Sequence, residues 1–139
     1  QQAKYQQSQP DNPTPETDLL LISQSDIAEC WHEIAGIYVA PTVEQYIVNL
    51  VEMTRHPDRV SEAFASYISL GVSPRGTLAL DRCGRACAWL DGRDAVLPED
   101  IQRIAPAVLR HRLLLSYQAN ADNCTPDQAI AMLLDAVVA

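Results

Sequence analysis

From about residue 19 onward, apolar residues recur every three to four positions, and this spacing restricts the chain to helical folds. The segment 41–56 is the clearest case, with one apolar face made of Val43, Tyr46, Ile47, Leu50, Val51 and Thr54. Prolines stand where a first helical turn tolerates them, at the predicted starts Pro41, Pro74, Pro98 and Pro126. The pattern predicts an all-α bundle of about five helices, with short extended segments between some of them.

The first and last helices carry sequence signatures at their starts. Ser23 and Asp26 form a predicted capping box, and Thr125 and Gln128 form another. The first helix should end at Gly36 and bury Ile27, Cys30, Trp31, Ile34 and Ala35. The last should bury Ala129, Ile130, Leu133, Leu134, Val137 and Val138.

Two helices are predicted between residues 74 and 112. The first runs from Pro74 to about Asp91, with Gly92 as a left-handed stop, and should bury Ala79, Cys83, Ala86, Cys87 and Leu90. The second begins at Pro98 and should bury Ile101, Ile104, Ala105, Val108 and Leu109. Pro106 should kink or restart it. Residues 58–70 are compatible with a short helix at 61–65 followed by an extended stretch.

Length and charge limit the function classes. The 139 residues suit one domain, which we place at 19–139, and the Gln- and Pro-rich segment 1–18 reads as a flexible linker or tail. A formal net charge of −8 argues against nucleic acid as a partner. No apolar run approaches the roughly 20 residues needed for membrane insertion, and no targeting signal opens the chain. The expected location is the cytoplasm.

The four cysteines, Cys30, Cys83, Cys87 and Cys124, fall in or beside predicted helices. Cys83 and Cys87 are four residues apart, but no CxxC or paired histidines complete a metal site. The sequence therefore predicts reduced, buried, metal-free cysteines.

A possible anion-binding arginine stands at the start of the third predicted helix. Ser73 is the predicted cap, Pro74 the first helical residue, and Arg75 follows within the first turn. Unpaired N–H groups and the positive end of the helix dipole favour phosphate oxygens there, and a guanidinium adds a fork of donors. However, the chain contains no GxxxxGK[ST] motif, so it cannot be a self-sufficient ATPase. No catalytic residues are predicted.

Further basic residues cluster in 71–112, which holds seven arginines in an otherwise acidic chain. Arg82, Arg85 and Trp89 share one flank of the predicted helix with Arg75. This flank is either a solvated face or a contact with another domain or subunit. Arg110 and Arg112 are compatible with phosphate binding or with the usual preference for basic residues at a helix C-terminus.

Four motifs in order, SPR, LDGRD, PED and IAPAVLRHRL, resemble the C-terminal lid of MoxR-type ATPases, a branch of the AAA+ superfamily. The resemblance extends over roughly Leu19 to Ala139. It implies that Arg75 is the sensor 2 residue, which reaches the nucleotide phosphates. It also implies ATP and Mg in the parent protein, and contacts of the basic residues with the AAA+ core or neighbouring subunits of a hexameric ring.

In this family, ATP hydrolysis is coupled to maturation or assembly of partner proteins, often ones with von Willebrand A domains. The competing interpretation is a free-standing helical interaction module with no nucleotide role. A basic nucleic-acid binder is a distant third because of the acid excess.

Overall fold

The structure, a computed structural model, describes residues 21–139. They form seven α-helices: α1 (Gln24–Ala35), α2 (Pro41–Arg55), α3 (Glu62–Tyr67), α4 (Arg75–Leu90), α5 (Pro98–Leu109), α6 (Tyr117–Ala121) and α7 (Pro126–Ala136). A 3-10 turn, Pro57–Arg59, follows α2. Strands β1 (Ile68–Leu70) and β2 (Leu114–Leu115) pair antiparallel. The all-α class is confirmed, and the linker predicted at 1–18 lies outside the described residues.

Two short helices supplement the five expected. Helix α3 matches the helix that 58–70 allowed, whereas α6 has no counterpart in the sequence prediction. The Ser116 hydroxyl caps α6 by accepting the Ala119 N–H at 3.3 Å. Five residues are too few to show a helical period, so this cap was the available signal.

Caps form as predicted at α1 and α7. The Ser23 hydroxyl accepts the Asp26 N–H at 3.1 Å, and the Asp26 carboxylate accepts the Ser23 N–H at 2.9 Å. The bond from the Ser23 N–H lowers the pKa of Asp26. Thr125 and Gln128 make the same reciprocal pair. These bonds satisfy first-turn donors that have no helical acceptor.

The core is built around α2, whose six predicted inward residues are all buried. Helix α5 adds Asp100, Ile101, Ala105, Val108 and Leu109, and α7 adds Ala129, Ile130 and Leu133. Val138, expected inside, is 85% exposed. Of the two alternatives expected at Pro106, a kink or a restart, the restart does not occur, because α5 continues through it to Leu109.

The predicted buried face of α4 was only partly right, since Cys87 is buried but Cys83 and Leu90 are exposed. Its buried residues are Gly76, Leu80, Gly84, Cys87 and Ala88, whereas Leu90 is 76% exposed. A Cβ on Gly84 would lie 2.6 Å from the Ile101 Cδ1. The backbone of α4 therefore packs closely on α5, and a pattern that scores glycine as neutral assigns the wrong face.

Helix α4 ends as predicted. Gly92 adopts a φ of +73°, and its N–H donates to the Trp89 carbonyl at 3.0 Å. The Arg93 N–H donates to the Ala88 carbonyl at 2.9 Å, which completes a Schellman motif.

The apolar stripe of α1 does not enter the core. None of its residues is fully buried, Trp31 is 72% exposed and Ile27 is 44% exposed. The periodicity correctly predicted an amphipathic helix but not what covers its apolar face. Among residues 21–139, no helix combines the length and apolar character required to cross a bilayer.

The cysteines only partly match the prediction. All four are free thiols, but Cys83 is exposed, Cys30 and Cys124 are half-buried, and only Cys87 is buried. Cys83 is exposed because it lies outside the buried face of α4, which carries Leu80 and Gly84.

Candidate functional site

The candidate site is the start of α4, of which Arg75 is the first residue. Pro74 already has helical backbone angles, φ −55° and ψ −23°. The Gly76 N–H donates to the Ser73 carbonyl at 2.8 Å, and the Thr77 N–H donates to the Pro74 carbonyl at 3.1 Å. The predicted side-chain cap was therefore wrong: Ser73 contributes its carbonyl, and its hydroxyl makes no capping bond.

The Arg75 side chain is exposed at this helix start. Within residues 21–139, none of the ion pairs or side-chain hydrogen bonds involves it. Beside it lies a shallow cleft of about 420 Å³ lined by Arg55, Leu70, Gly71, Val72, Ser73 and Pro74. The guanidinium can therefore bind an acceptor outside the described part of the chain without breaking an intramolecular bond.

Arg85 has partners inside the chain. Its Nη1 donates to the Ala35 carbonyl at 3.1 Å and to the Ile37 carbonyl, and its Nε donates to the Asp81 carboxylate at 3.0 Å. Carbonyls at the end of α1 carry the negative end of that helix dipole. Arg85 thus fastens the C-terminus of α1 to α4.

Trp89 supports the same junction. Its Nε1 donates to the Glu33 carboxylate at 2.8 Å. Arg82, in contrast, is exposed and lines a largely apolar groove of about 450 Å³ between α1 and α4, together with Trp31 and Ile34. The predicted stripe therefore divides into residues that hold α1 and residues that face outward.

Arg110 and Arg112 lie just beyond α5. Arg110 makes a two-bond ion pair with Asp127 at the start of α7, with Nε and Nη2 at 2.7 and 3.0 Å from the carboxylate oxygens. Accepting these bonds, Asp127 raises the pKa of Arg110. Arg112 is exposed.

Sequence reasoning missed a charged cluster between the end of α4 and the start of α5. The buried Asp100 carboxylate binds both terminal nitrogens of Arg93, one at 2.8 Å, and accepts the Leu97 N–H at 2.8 Å. Arg93 also donates to Asp91 at 3.0 Å. The hydrogen bonds from Arg93 lower the pKa of Asp100. They also lower the pKa of Asp91.

The signal for this cluster was present in the sequence. Asp100 is the third residue of the α5 helix, where a carboxylate can reach back to the cap N–H. Leu97 has no side chain that could cap, so the carboxylate supplies the only half of a capping box available. Attraction to the helix dipole would place both Glu99 and Asp100 at this helix start, but it does not require the buried ion pair.

Cys87, Asp91 and Asp100 also bring possible metal ligands within 4.8 Å of one another. Two guanidinium groups already occupy this donor set: Arg93 binds both carboxylates, and Arg103 lies 3.5 Å from the Cys87 sulfur. Burial raises the pKa of the Cys87 thiol, which disfavours the thiolate that a metal would need. The geometry is that of an ion-pair cluster.

Comparison with known proteins identifies the family. Residues 61–132, about half of the chain, match the model of the AAA lid domain. The chain is 34% identical over 125 residues to Chaperone MoxR1 of Mycobacterium tuberculosis, covering 89% of this chain and 33% of that protein. It is 41% identical over 87 residues to Protein MoxR of Paracoccus denitrificans, covering 59% and 26% respectively.

A solved structure supports the same fold. A protein from Cytophaga hutchinsonii described as a candidate ATPase superposes with a TM-score of 0.79 at 39% identity, covering 82% of this chain and 35% of that one. The chain thus spans about a third or less of the length of these proteins. The chain belongs to the AAA lid domain family, and the resemblance of its motifs to the lid of MoxR-type AAA+ ATPases is confirmed.

Proposed function

We propose that this chain is the lid of an ATP-hydrolysing MoxR-type AAA+ protein and that Arg75 is its sensor 2 residue. The core domain of the parent protein would hold ATP and Mg, because this chain has no phosphate-binding loop. The observation that carries the proposal is Arg75 itself. It is the first residue of α4, it is exposed, and it has no acceptor among the described residues.

The chemistry of this position supports phosphate binding. The first turn of α4 carries the positive end of the helix dipole, which favours an anion, although its Gly76 and Thr77 N–H groups already donate to the Ser73 and Pro74 carbonyls. A guanidinium adds up to two parallel, charge-assisted hydrogen bonds to phosphate oxygens. Because the lid carries the arginine and the core carries the nucleotide, closure of the lid would complete the phosphate contacts.

The proposed wider activity is based on the family. The relative Chaperone MoxR1 supports, by its name, a chaperone-like role, in which the ATPase cycle drives maturation or assembly of partner proteins. We propose a hexameric ring in the cytoplasm as the working assembly, with von Willebrand A domain proteins among its partners. The fold of a lid domain does not identify the partner protein.

The outward face of α1 is the proposed contact with the AAA+ core or with a neighbouring subunit. Ile27 and Trp31 present apolar surface, and Arg82 adds a cation at the edge of the same groove. Arg85 and Trp89 contribute indirectly by holding α1 in place. Arg110 and Arg112 form a second proposed contact beyond α5.

Trp31→Ala tests the α1 contact. Because Trp31 is 72% exposed, we expect the free energy of unfolding of the isolated chain to change by less than about 0.5 kcal/mol. Ring assembly of the full-length protein, measured by sedimentation, should weaken. Tyr117→Ala is the matched control, since Tyr117 is also an exposed aromatic residue, on α6. Unchanged assembly of Trp31→Ala would exclude this face as a subunit contact.

Arg75→Ala in the full-length protein tests the nucleotide role. A charge-assisted bond contributes about 1.5 to 3 kcal/mol, so kcat/KM for ATP should fall roughly tenfold to a hundredfold. Arg75→Lys should restore only part of the loss, because an ammonium keeps the charge but not the planar fork. Arg59→Ala is the control, an exposed arginine on the 3-10 turn. Wild-type kinetics for Arg75→Ala would remove the proposed nucleotide role of Arg75.

A further inference from the structure

The loop that leads into α4 is bound to the end of α2 through one buried hydroxyl. Thr54 is fully buried one residue before α2 ends. Its Oγ1 donates to the Val51 carbonyl at 2.6 Å and accepts the Val72 N–H at 2.9 Å. A threonine that only bonds back to its own helix is common. Here the same oxygen also binds a residue 18 positions later, three residues before Arg75.

The neighbouring residues leave this loop little freedom to shift. A Cβ on Gly71 would overlap the Thr54 carbonyl, lying 2.6 Å from its carbon, and would lie 2.8 Å from the Arg55 Cα. The Gly71 backbone therefore rests directly on the end of α2. Such close backbone contact is available only to glycine.

Val72 transmits the contact to the first turn of α4. Its side chain is 1% exposed, and a Cβ on Gly76 would overlap its Cγ1. Val72 thus has its N–H bound by Thr54 and its side chain packed against the residue that follows Arg75. Two successive contacts, the Val72 N–H bond and the packing of Val72 on Gly76, connect the Thr54 hydroxyl to the backbone that carries the Arg75 guanidinium.

We propose that Thr54 is a positioning residue for Arg75: it sets where the first turn of α4 lies and therefore where the guanidinium meets the phosphates. The inference rests on the proposed nucleotide role of Arg75. Thr54 itself is buried and touches no nucleotide, so it acts only through Arg75. Loss of its hydroxyl should shift the arginine without changing the number of charges in the site.

A double-mutant cycle in the full-length ATPase tests this. Thr54→Val keeps the shape of the side chain but removes the acceptor of the Val72 N–H. We expect kcat/KM for ATP to fall about threefold to tenfold, less than for Arg75→Ala. Thr54→Ser should restore the wild-type value. In an Arg75→Ala background, Thr54→Val should cause no further loss, because there is no arginine left to position.

Ile130→Val controls for destabilisation. It removes a methyl group from the fully buried face of α7, and we expect it to lower the melting temperature with kcat/KM unchanged. Val72→Ala enters the same cycle if Thr54→Val does not fold, since it keeps the hydrogen bond but loosens the packing on Gly76.

The outcomes separate the two claims. No kinetic effect of Arg75→Ala would overturn the proposed function, and the positioning role with it. A normal loss for Arg75→Ala would retain the proposed function. Then wild-type kinetics of Thr54→Val, or a loss that multiplies with that of Arg75→Ala, would overturn the positioning role alone.

Discussion

The two ends of α4 both carry arginines, but the fold treats them differently. At the C-terminal end, Arg93 binds Asp91 and the buried Asp100, so its donors are used within the chain. At the N-terminal end, Arg75 has no ion-pair partner among residues 21–139, although the loop before it is tightly packed. The contrast teaches that the acceptors around an arginine, rather than its residue type, separate a structural role from a binding role.

Asp100→Ala should produce the largest effect and would break the structural half of this comparison. The change leaves Arg93 without its main partner and the Leu97 N–H without an acceptor. Removing one member of a buried pair costs about 3 to 5 kcal/mol. We expect about 3, because Arg93 retains 30% exposure and can be partly hydrated. Urea denaturation of the chain measures this.

The neighbouring Glu99→Ala is the control for Asp100→Ala. Glu99 is exposed in the same helical turn, so its removal should change the free energy of unfolding by less than about 0.5 kcal/mol. Equal losses for the two variants would show that attraction of the carboxylates to the α5 helix dipole, and not the ion pair with Arg93, stabilises the junction between α4 and α5.

Gly84→Ala should have a smaller effect and tests the packing that brings α4 and α5 together. Alanine gains up to about 1 kcal/mol in helix propensity. However, its Cβ would lie 2.6 Å from Ile101 and 3.4 Å from Val96, both buried, and overpacking costs about 1 to 3 kcal/mol. We expect a net loss of about 1 kcal/mol in thermal unfolding. If Gly84→Ala were more stable than the wild type, α4 and α5 would have to be able to move apart to accommodate the added methyl group.

Acid should destabilise the junction between the end of α4 and the start of α5. Between pH 6 and 3, we expect this to be the smallest of the predicted effects. Arg93 lowers the pKa of Asp100 and of Asp91, so the folded chain binds fewer protons than the unfolded chain. Their contribution is complete above the ordinary carboxyl pKa of about 4 and is lost as the pH falls through the lower folded values. Thermal melts between pH 6 and 3 should show a weaker pH dependence for Asp100→Asn than for Glu99→Gln.

The sequence was a good guide wherever local rules decide structure. The six inward residues of α2, two capping boxes, the Gly92 stop and the place of Arg75 in the first turn of α4 all depend on neighbours within a few positions. Residues at that spacing interact without any tertiary contact, so their pattern can be recognised from the sequence alone.

The remaining features depend on contacts distant in sequence. The true buried face of α4 follows from the approach of Gly84 to Ile101, and the role of Arg85 from carbonyls 48 and 50 residues earlier. The exposed stripe of α1 had no local signature, because an apolar helix face looks the same whether this chain or another surface covers it.

The most direct test of the account is the Mg-ATP-induced shift in melting temperature of the full-length protein, compared between wild type and Arg75→Ala. Without nucleotide, the two melts should coincide, because the exposed Arg75 supports little packing. With saturating Mg-ATP, a tenfold loss of affinity would remove about 1.4 kcal/mol of ligand stabilisation, so the variant should show a smaller shift. An equal shift in both proteins would contradict the assignment of Arg75 as a nucleotide contact.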